Sequence, residues 1–266
     1  MVRAWRLIVL VCAGVGLASG GVGDWKTFTA KRDIRDLAWD QNRQIVWVVT
    51  GAGMYTYRDA DTTFHEYTTS EGLRTNNLSA VAIDREGTIW VGAANGFLHR
   101  YHPSSGQREY VSDISGKQVP QKGINKLELS GDTLFILSDI GVSLFSISRM
   151  EFGDTYGRFG GGASVLVGNA TDLTIFRGEV WVATRSGVAS TPISNPNPSA
   201  PESWHVYTQA QGLPSSTVHR LLIAFDSLFA ATSFGLTSFD GAAWNLVAGT
   251  EGMNVADLAS GRQPCI

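Results

Sequence analysis

The sequence predicts an all-β fold, a β-propeller built from four-stranded blades, and three observations carry that prediction. The aromatic positions Trp47, Trp90, Phe135, Trp181 and Phe229 stand 43, 45, 46 and 48 residues apart, the period of four-stranded blades. Gly53, Gly96, Gly141, Gly187 and Gly235 keep the same intervals, so two independent landmarks share one period. Of the 266 residues, 43% are hydrophobic, only 17% are charged and 30 are glycine, which suits a large sheet core with many tight corners.

The first twenty residues are of a different kind. Arg3 and Arg6 make a short positive head, an apolar run extends from Leu7 to Leu17, and Ala18, Ser19 and Gly20 follow. This is the pattern of a secretory signal peptide, with a run too short for a membrane anchor. Residues 21–266 are then the propeller domain. Cys12 leaves with the leader and only Cys265 remains, so stability must come from packed sheet rather than disulfides. A formal net charge of -3 without any Lys/Arg cluster argues against a nucleic-acid partner.

The repeat is clearest in two copies. One runs Tyr67-Thr-Thr-Ser-Glu-Gly72-Leu73, Leu78-Ser-Ala-Val81-Ala-Ile83-Asp84, Gly87-Thr-Ile89-Trp90-Val91-Gly92 and Asn95-Gly96-Phe97. The other runs Trp204-His-Val-Tyr207-Thr208, Gln211-Gly212-Leu213-Pro214-Ser215, Val218, Leu221, then Leu228-Phe-Ala-Ala-Thr232 and Gly235-Leu236. Each copy resolves into an inner strand, a nearly continuous apolar second strand, a glycine-led third strand and an outer strand with Trp/Tyr pairs. The outer pairs are Trp204 with Tyr207 and Phe64 with Tyr67, and the large aromatics are expected to fill the wedge between neighbouring blades.

Five complete blades and a partial sixth are expected. A sixth repeat begins at Trp244 and reaches Val255-Ala-Asp-Leu258, but Ser260-Gly-Arg-Gln-Pro264-Cys-Ile266 follows where a second strand belongs. The strand Trp25–Thr29 precedes the first inner strand, Ile34–Trp39, and reads as an outer strand in search of a last blade. The ring is therefore expected to be incomplete.

The string Glu71-Gly72-Leu73…Asn77…Val81-Ala-Ile83-Asp84-Arg-Glu-Gly87-Thr-Ile89-Trp90-Val91-Gly92-Ala-Ala-Asn95-Gly96 resembles the two-component-regulator propeller repeat. The copy at Gly212-Leu213-Pro214-Ser215…Val218 is similar to it as well. A narrower likeness is to the propeller of type IX secretion accessory proteins of the PorZ type, which begins with a strand like Trp25-Lys-Thr-Phe28. The resemblance implies an exported module of the periplasm, outer-membrane surface or extracellular space. It also implies either a secretion-associated scaffold or the ligand-sensing part of a signalling receptor.

No motif points to catalysis. Asp84-Arg-Glu-Gly87-Thr-Ile89-Trp90 departs from the sialidase Asp-box in spacing and reads as a hairpin corner. His65, His99, His102, His205 and His219 show no repeated metal-ligand spacing. Neither a pair of strand-borne carboxylates nor a Gly-x-Ser-x-Gly elbow is present. The expectation is a non-enzymatic binding module without cofactor or metal. Its ligand, a protein, peptide or glycan, would sit on the loops at one end of the channel, at Asn76, Asn77, Asn95, Asp139, Arg185 and His219. Envelope secretion components are expected partners, and a propeller-based lyase or glycosidase is the remaining alternative. The Asn and Asp residues also suit a turn role, tolerated at positive φ.

Overall fold

The computed structural model describes residues 33–162 and 165–259. The expected leader, the expected strand Trp25–Thr29, Cys12 and Cys265 lie outside the described residues. The described chain forms five four-stranded antiparallel sheets, each with its strands in chain order, plus one two-stranded sheet. Blade 1 comprises Ile34–Asp40, Ile45–Thr50, Gly53–Arg58 and Thr63–Tyr67. Blade 2 comprises Leu78–Ile83, Ile89–Ala93, Leu98–His102 and Gln107–Val111, and blade 3 Ile124–Ser130, Thr133–Ser138, Gly141–Ser146 and Glu151–Tyr156. Blade 4 comprises Ala170–Phe176, Glu179–Thr184, Gly187–Pro192 and His205–Tyr207, and blade 5 Val218–Ala224, Ser227–Thr232, Gly235–Phe239 and Trp244–Leu246. The small sheet, Arg158–Phe159 with Leu166–Val167, lies in the connection between blades 3 and 4.

The strand that opens each sequence repeat closes the preceding blade. Trp244–Leu246 thus pairs with Gly235–Phe239 as the outer strand of blade 5. Among the described residues, the sixth repeat contributes one inner segment, Met253–Ala259, in no sheet ladder.

The corner between second and third strands explains the periodic glycine. Gly53, Gly141, Gly187 and Gly235 open their third strands at φ between 121° and 149°, where L side chains are strained. At Gly141 an added Cβ would also meet the carbonyl oxygen of Tyr156 at 2.1 Å. Just before this corner, the hydroxyls of Thr50, Ser138, Thr184 and Thr232 donate to the carbonyls of these four glycines.

The wedge aromatics all lean toward the following blade. Trp47 meets Tyr101 of blade 2, Trp90 meets Phe145 of blade 3, and Trp181 meets Phe239 and Trp244 of blade 5. Phe135, half-buried, packs on the cluster containing Leu173 and Trp204 of blade 4. Phe229 keeps the same direction but faces a groove, because no described sheet follows blade 5. One expectation needs correcting. Phe64 is 66% exposed, on the side of blade 1 away from blade 2, where it covers Tyr57 rather than filling a wedge.

Candidate functional site

Each inner strand begins with the same irregularity. The register slips between Ile34 and Asp36, Leu78 and Ala80, Ala170 and Asp172, and Val218 and Arg220, with a matching slip opposite Ile124–Lys126 in blade 3. Such a bulge inserts an extra residue and re-aims its neighbours. The extra residue becomes a link to the next blade. Arg35 donates to the Leu78 carbonyl, Ser79 to Ile124, Asn125 to Ala170 and Thr171 to Val218.

The residue after it is charged in four blades of five: Asp36, Lys126, Asp172 and Arg220, with Ala80 between. These side chains interact with one another across blades. Lys126 Nζ lies 2.8 Å from Asp172 and 3.0 Å from Glu128, and Arg220 reaches Asp257 of the sixth inner segment at 3.0 Å. Asp36 accepts the Val81 N–H at 3.0 Å, and Asp172 accepts the Leu221 N–H at 2.8 Å. Burial raises the Asp36 carboxyl against the opposing pull of its backbone donors and of Arg220 and Lys126. Burial likewise raises Glu128, with Lys126 opposing. For Lys126 burial disfavours the charge, but Asp172 and Glu128 outweigh it and hold the ammonium protonated above its usual range. The inner strands therefore carry a mixed, largely self-paired charge cluster.

The sequence-predicted loop residues meet at the end where the inner strands begin. In each blade the first residue of the second corner donates to the residue before the inner strand: Gly51 to Asp33, Ala94 to Asn77, Asp139 to Gly123, Arg185 to Asn169 and Ser233 to Thr217. Asn77, Asn95, Asp139, Arg185 and His219 thus share one end of the blades, and their side chains differ in what they do. Asp139 accepts the Gly123 N–H at 2.8 Å and the Asn125 amide at 3.3 Å, while Asn76 accepts the Thr69 N–H at 2.8 Å. Those two hold loops. Asn77 takes the Arg35 guanidinium at 2.6 Å, and His219 meets Asn254 at 3.1 Å. Asn95 and Arg185 are exposed. The turn role is correct in kind but not in mechanism: none of Asn76, Asn77, Asn95 and Asp139 has positive φ, and of the loop asparagines only Asn169 does.

The Gly72 and Gly212 motifs also resolve. Thr68 with Glu71, and Thr208 with Gln211, form reciprocal capping boxes on short 3₁₀ turns, each ended by a left-handed glycine. Glu71 is held below the usual carboxylate range first by the Thr68 hydroxyl. One buried histidine gave no sequence signal. His99 Nε2 accepts the Arg74 N–H at 3.0 Å, and burial pushes its pKa down to about 4. Among the described residues there is no cluster of His, Cys, Asp and Glu fit to hold a metal. Among the same residues, no helix is long and apolar enough to cross a membrane.

No family model and no curated relative matches the sequence. Solved structures do match in fold. PorZ of Porphyromonas gingivalis, an essential surface component of the type IX secretion system, aligns with 15% identity and a TM-score of 0.67 over 86% of this chain and 30% of that one. The extracellular domain of the hybrid two-component system BT3049 from B. thetaiotaomicron aligns with 14% identity and a TM-score of 0.64, over 90% of this chain and 31% of that one. The WD40 repeats of RRP9 align with 12% identity and a TM-score of 0.57, over 80% and 62%. The chain spans less than a third of PorZ and of the BT3049 domain. Its neighbours include PorZ and the extracellular domains of two-component systems, and with them it shares the β-propeller fold that its repeats predict.

Proposed function

We propose that this chain is an exported, non-catalytic propeller that binds a partner at the end where its inner strands begin. The observation that supports it most is the division of labour on that end. Asn76 and Asp139 are committed to holding loops, while Asn95, whose oxygen accepts the Phe97 N–H at 3.5 Å, and Arg185 stand exposed on the same well-fastened frame. Rigid loops with exposed polar tips are what a recognition surface needs. The inner-strand charges are mostly paired with one another, which suits a structural hub better than a proton-transfer site.

The fold likeness to PorZ supports a setting in secretion or cell-surface assembly, with envelope components as partners. The likeness to the BT3049 extracellular domain favours a second reading, the ligand-sensing part of a signalling receptor. Fold alone does not choose between them. Screening the purified chain against envelope glycans, peptides and membrane-fraction proteins, in parallel with an Arg185→Ala, Asn95→Ala variant, tests the shared core of both readings. A ligand retained by the wild type and lost by the variant is expected. Turnover of a substrate, undiminished in the variant, would refute the binding site and the non-catalytic reading together.

A further inference from the structure

One outer-strand position recurs in all five blades. Phe64, Arg108, Phe152 and Trp244 lie opposite Tyr57, Tyr101, Phe145 and Phe239 of their third strands. Trp204 stands at the same place, one residue beyond the His205–Ser190 pair. At three joints this residue is an aromatic that closes the wedge of the preceding blade. Phe152 packs on the cluster that holds Trp90, Trp204 on the one that takes Phe135, and Trp244 meets Trp181 at 6.1 Å. Blade 2 has a cation there instead. The Arg108 guanidinium lies 4.9 Å from the centre of the Tyr101 ring and 6.0 Å from that of Tyr67, stacked on aromatic faces and outside the crevice between blades 1 and 2.

That crevice is wide. Its volume is about 340 Å³, against about 190 Å³ for its counterpart between blades 3 and 4, where Trp204 forms part of the wall. Trp47 and Tyr67 of blade 1 face Tyr101 and Pro103 of blade 2 across it. Trp47, Thr56 and His65 stand side by side on three strands, where blade 3 has Phe135 and Leu144. Arg43 lines the crevice but is committed, donating to Asp40 at 2.7 Å and to the Gly87 carbonyl at 3.1 Å. Asp61 is turned to Thr63, accepting its hydroxyl at 2.6 Å and its N–H at 3.2 Å. The other Asp61 oxygen is 3.9 Å from Arg58, beyond hydrogen-bond reach. Arg58 therefore stands at the crevice, beside an exposed His65, with no hydrogen-bonded partner among the described residues.

We propose that this crevice binds a small aromatic carboxylate. The ring takes the place that Phe152, Trp204 and Trp244 fill at the other joints, between Trp47 and Tyr101, and the carboxylate pairs with Arg58. An inorganic anion would leave the aromatic walls uncovered, and a neutral ring would leave Arg58 unmatched. Aromatic walls with a few placed polar groups, at this volume, are what a small-molecule site requires. Arg43 and Asp61 belong to the corners after first and third strands, so the site lies at the end of the blades opposite the loops. It does not depend on the loop-end binding surface and goes beyond it.

The probe is 3-phenylpropionate, titrated by calorimetry into the full chain beside its neutral amide and beside acetate. The acid should bind saturably, with the amide about tenfold weaker and acetate weaker still. Arg58→Gln should bring the acid down to the affinity of the amide and leave the amide unchanged. Arg108→Trp supplies the closing ring from the chain itself, so it should raise the thermal transition and exclude the probe. Circular dichroism checks that both variants fold, as their exposed positions lead us to expect. Absence of saturable binding, equal affinity for acid and amide, or equal affinity for acid and acetate would overturn the proposal. So would an Arg58→Gln variant that weakens acid and amide alike, or an Arg108→Trp variant that binds the probe as the wild type does.

Discussion

The Lys126 ammonium lies 2.8 Å from one oxygen of Asp172, whose other oxygen accepts the backbone N–H of Leu221. One buried carboxylate in blade 4 therefore fastens blade 3 on one side and blade 5 on the other. Replacing Asp172 with Ala leaves a largely buried ammonium with only Glu128 and orphans a buried N–H. We expect a loss of about 3 kcal/mol, measured by urea unfolding. Replacing Lys126 with Met should cost less, since the aliphatic stem is kept and Asp172 retains its backbone donor.

A second expectation concerns the corner Asp84–Thr88. The Asp84 carboxylate accepts the N–H groups of Glu86 and Thr88 and, at 2.9 Å, the indole N–H of Trp90. Asp84→Ala should lower stability by about 2 kcal/mol, and Trp90→Ala by about 3–5 kcal/mol through the cavity it leaves. Because the two residues touch, the double variant should cost less than the sum of the singles, which a double-mutant cycle reads directly.

Acid should loosen blade 2 before the chain as a whole. The folded-state pKa of His99 is pushed by burial from 6.5 to about 4, so the native protein keeps it neutral while the unfolded chain takes up a proton. Stability is then level above about pH 6.5 and falls as the pH drops toward 4, by about 3 kcal/mol for this group. His99→Gln, which keeps an acceptor for the Arg74 N–H, should flatten that window. Unfolding titrations of both proteins at pH 7, 6, 5 and 4 would show it, and parallel curves would contradict the assignment.

The period, the blade order and the corner glycines were all legible in the sequence because they rest on local rules: alternation, turn chemistry and a repeat length. The inner-strand charges were not. Asp36, Lys126, Asp172 and Arg220 follow one another at blade spacing, but the bulge breaks the alternation that would flag them, and Ala80 interrupts the series in the clearest repeat. Their pairing is also between blades, which no single repeat reveals. The positions of the loop residues follow from the register of the repeats. Their division into loop-holding and exposed side chains depended on partners such as Gly123 and Thr69, whose N–H groups only the folded chain presents. His99 stayed hidden because a single histidine on a strand carries no pattern.

The last expectation separates recognition from stability within one protein. Asn77, Asn95 and Arg185 stand at the loop end, and their side chains are exposed. Replacing all three with Ala should leave the thermal transition within about half a kcal/mol per site of the wild type, with Asn77 the most costly because it releases Arg35. Any partner bound at that end should dissociate faster, since interface changes act mainly on the off-rate. Trp181 is the contrasting position: it is buried, stacks on Tyr207, and meets Trp244 edge-on across the joint to blade 5. Trp181→Ala should cost about 3–5 kcal/mol, a large share of what holds a domain together. Among the molecules that remain folded, affinity should be preserved. Calorimetry and surface-binding kinetics on the two variants decide the matter: loss of affinity in the tryptophan variant with none in the triple variant would move the binding surface off the loops.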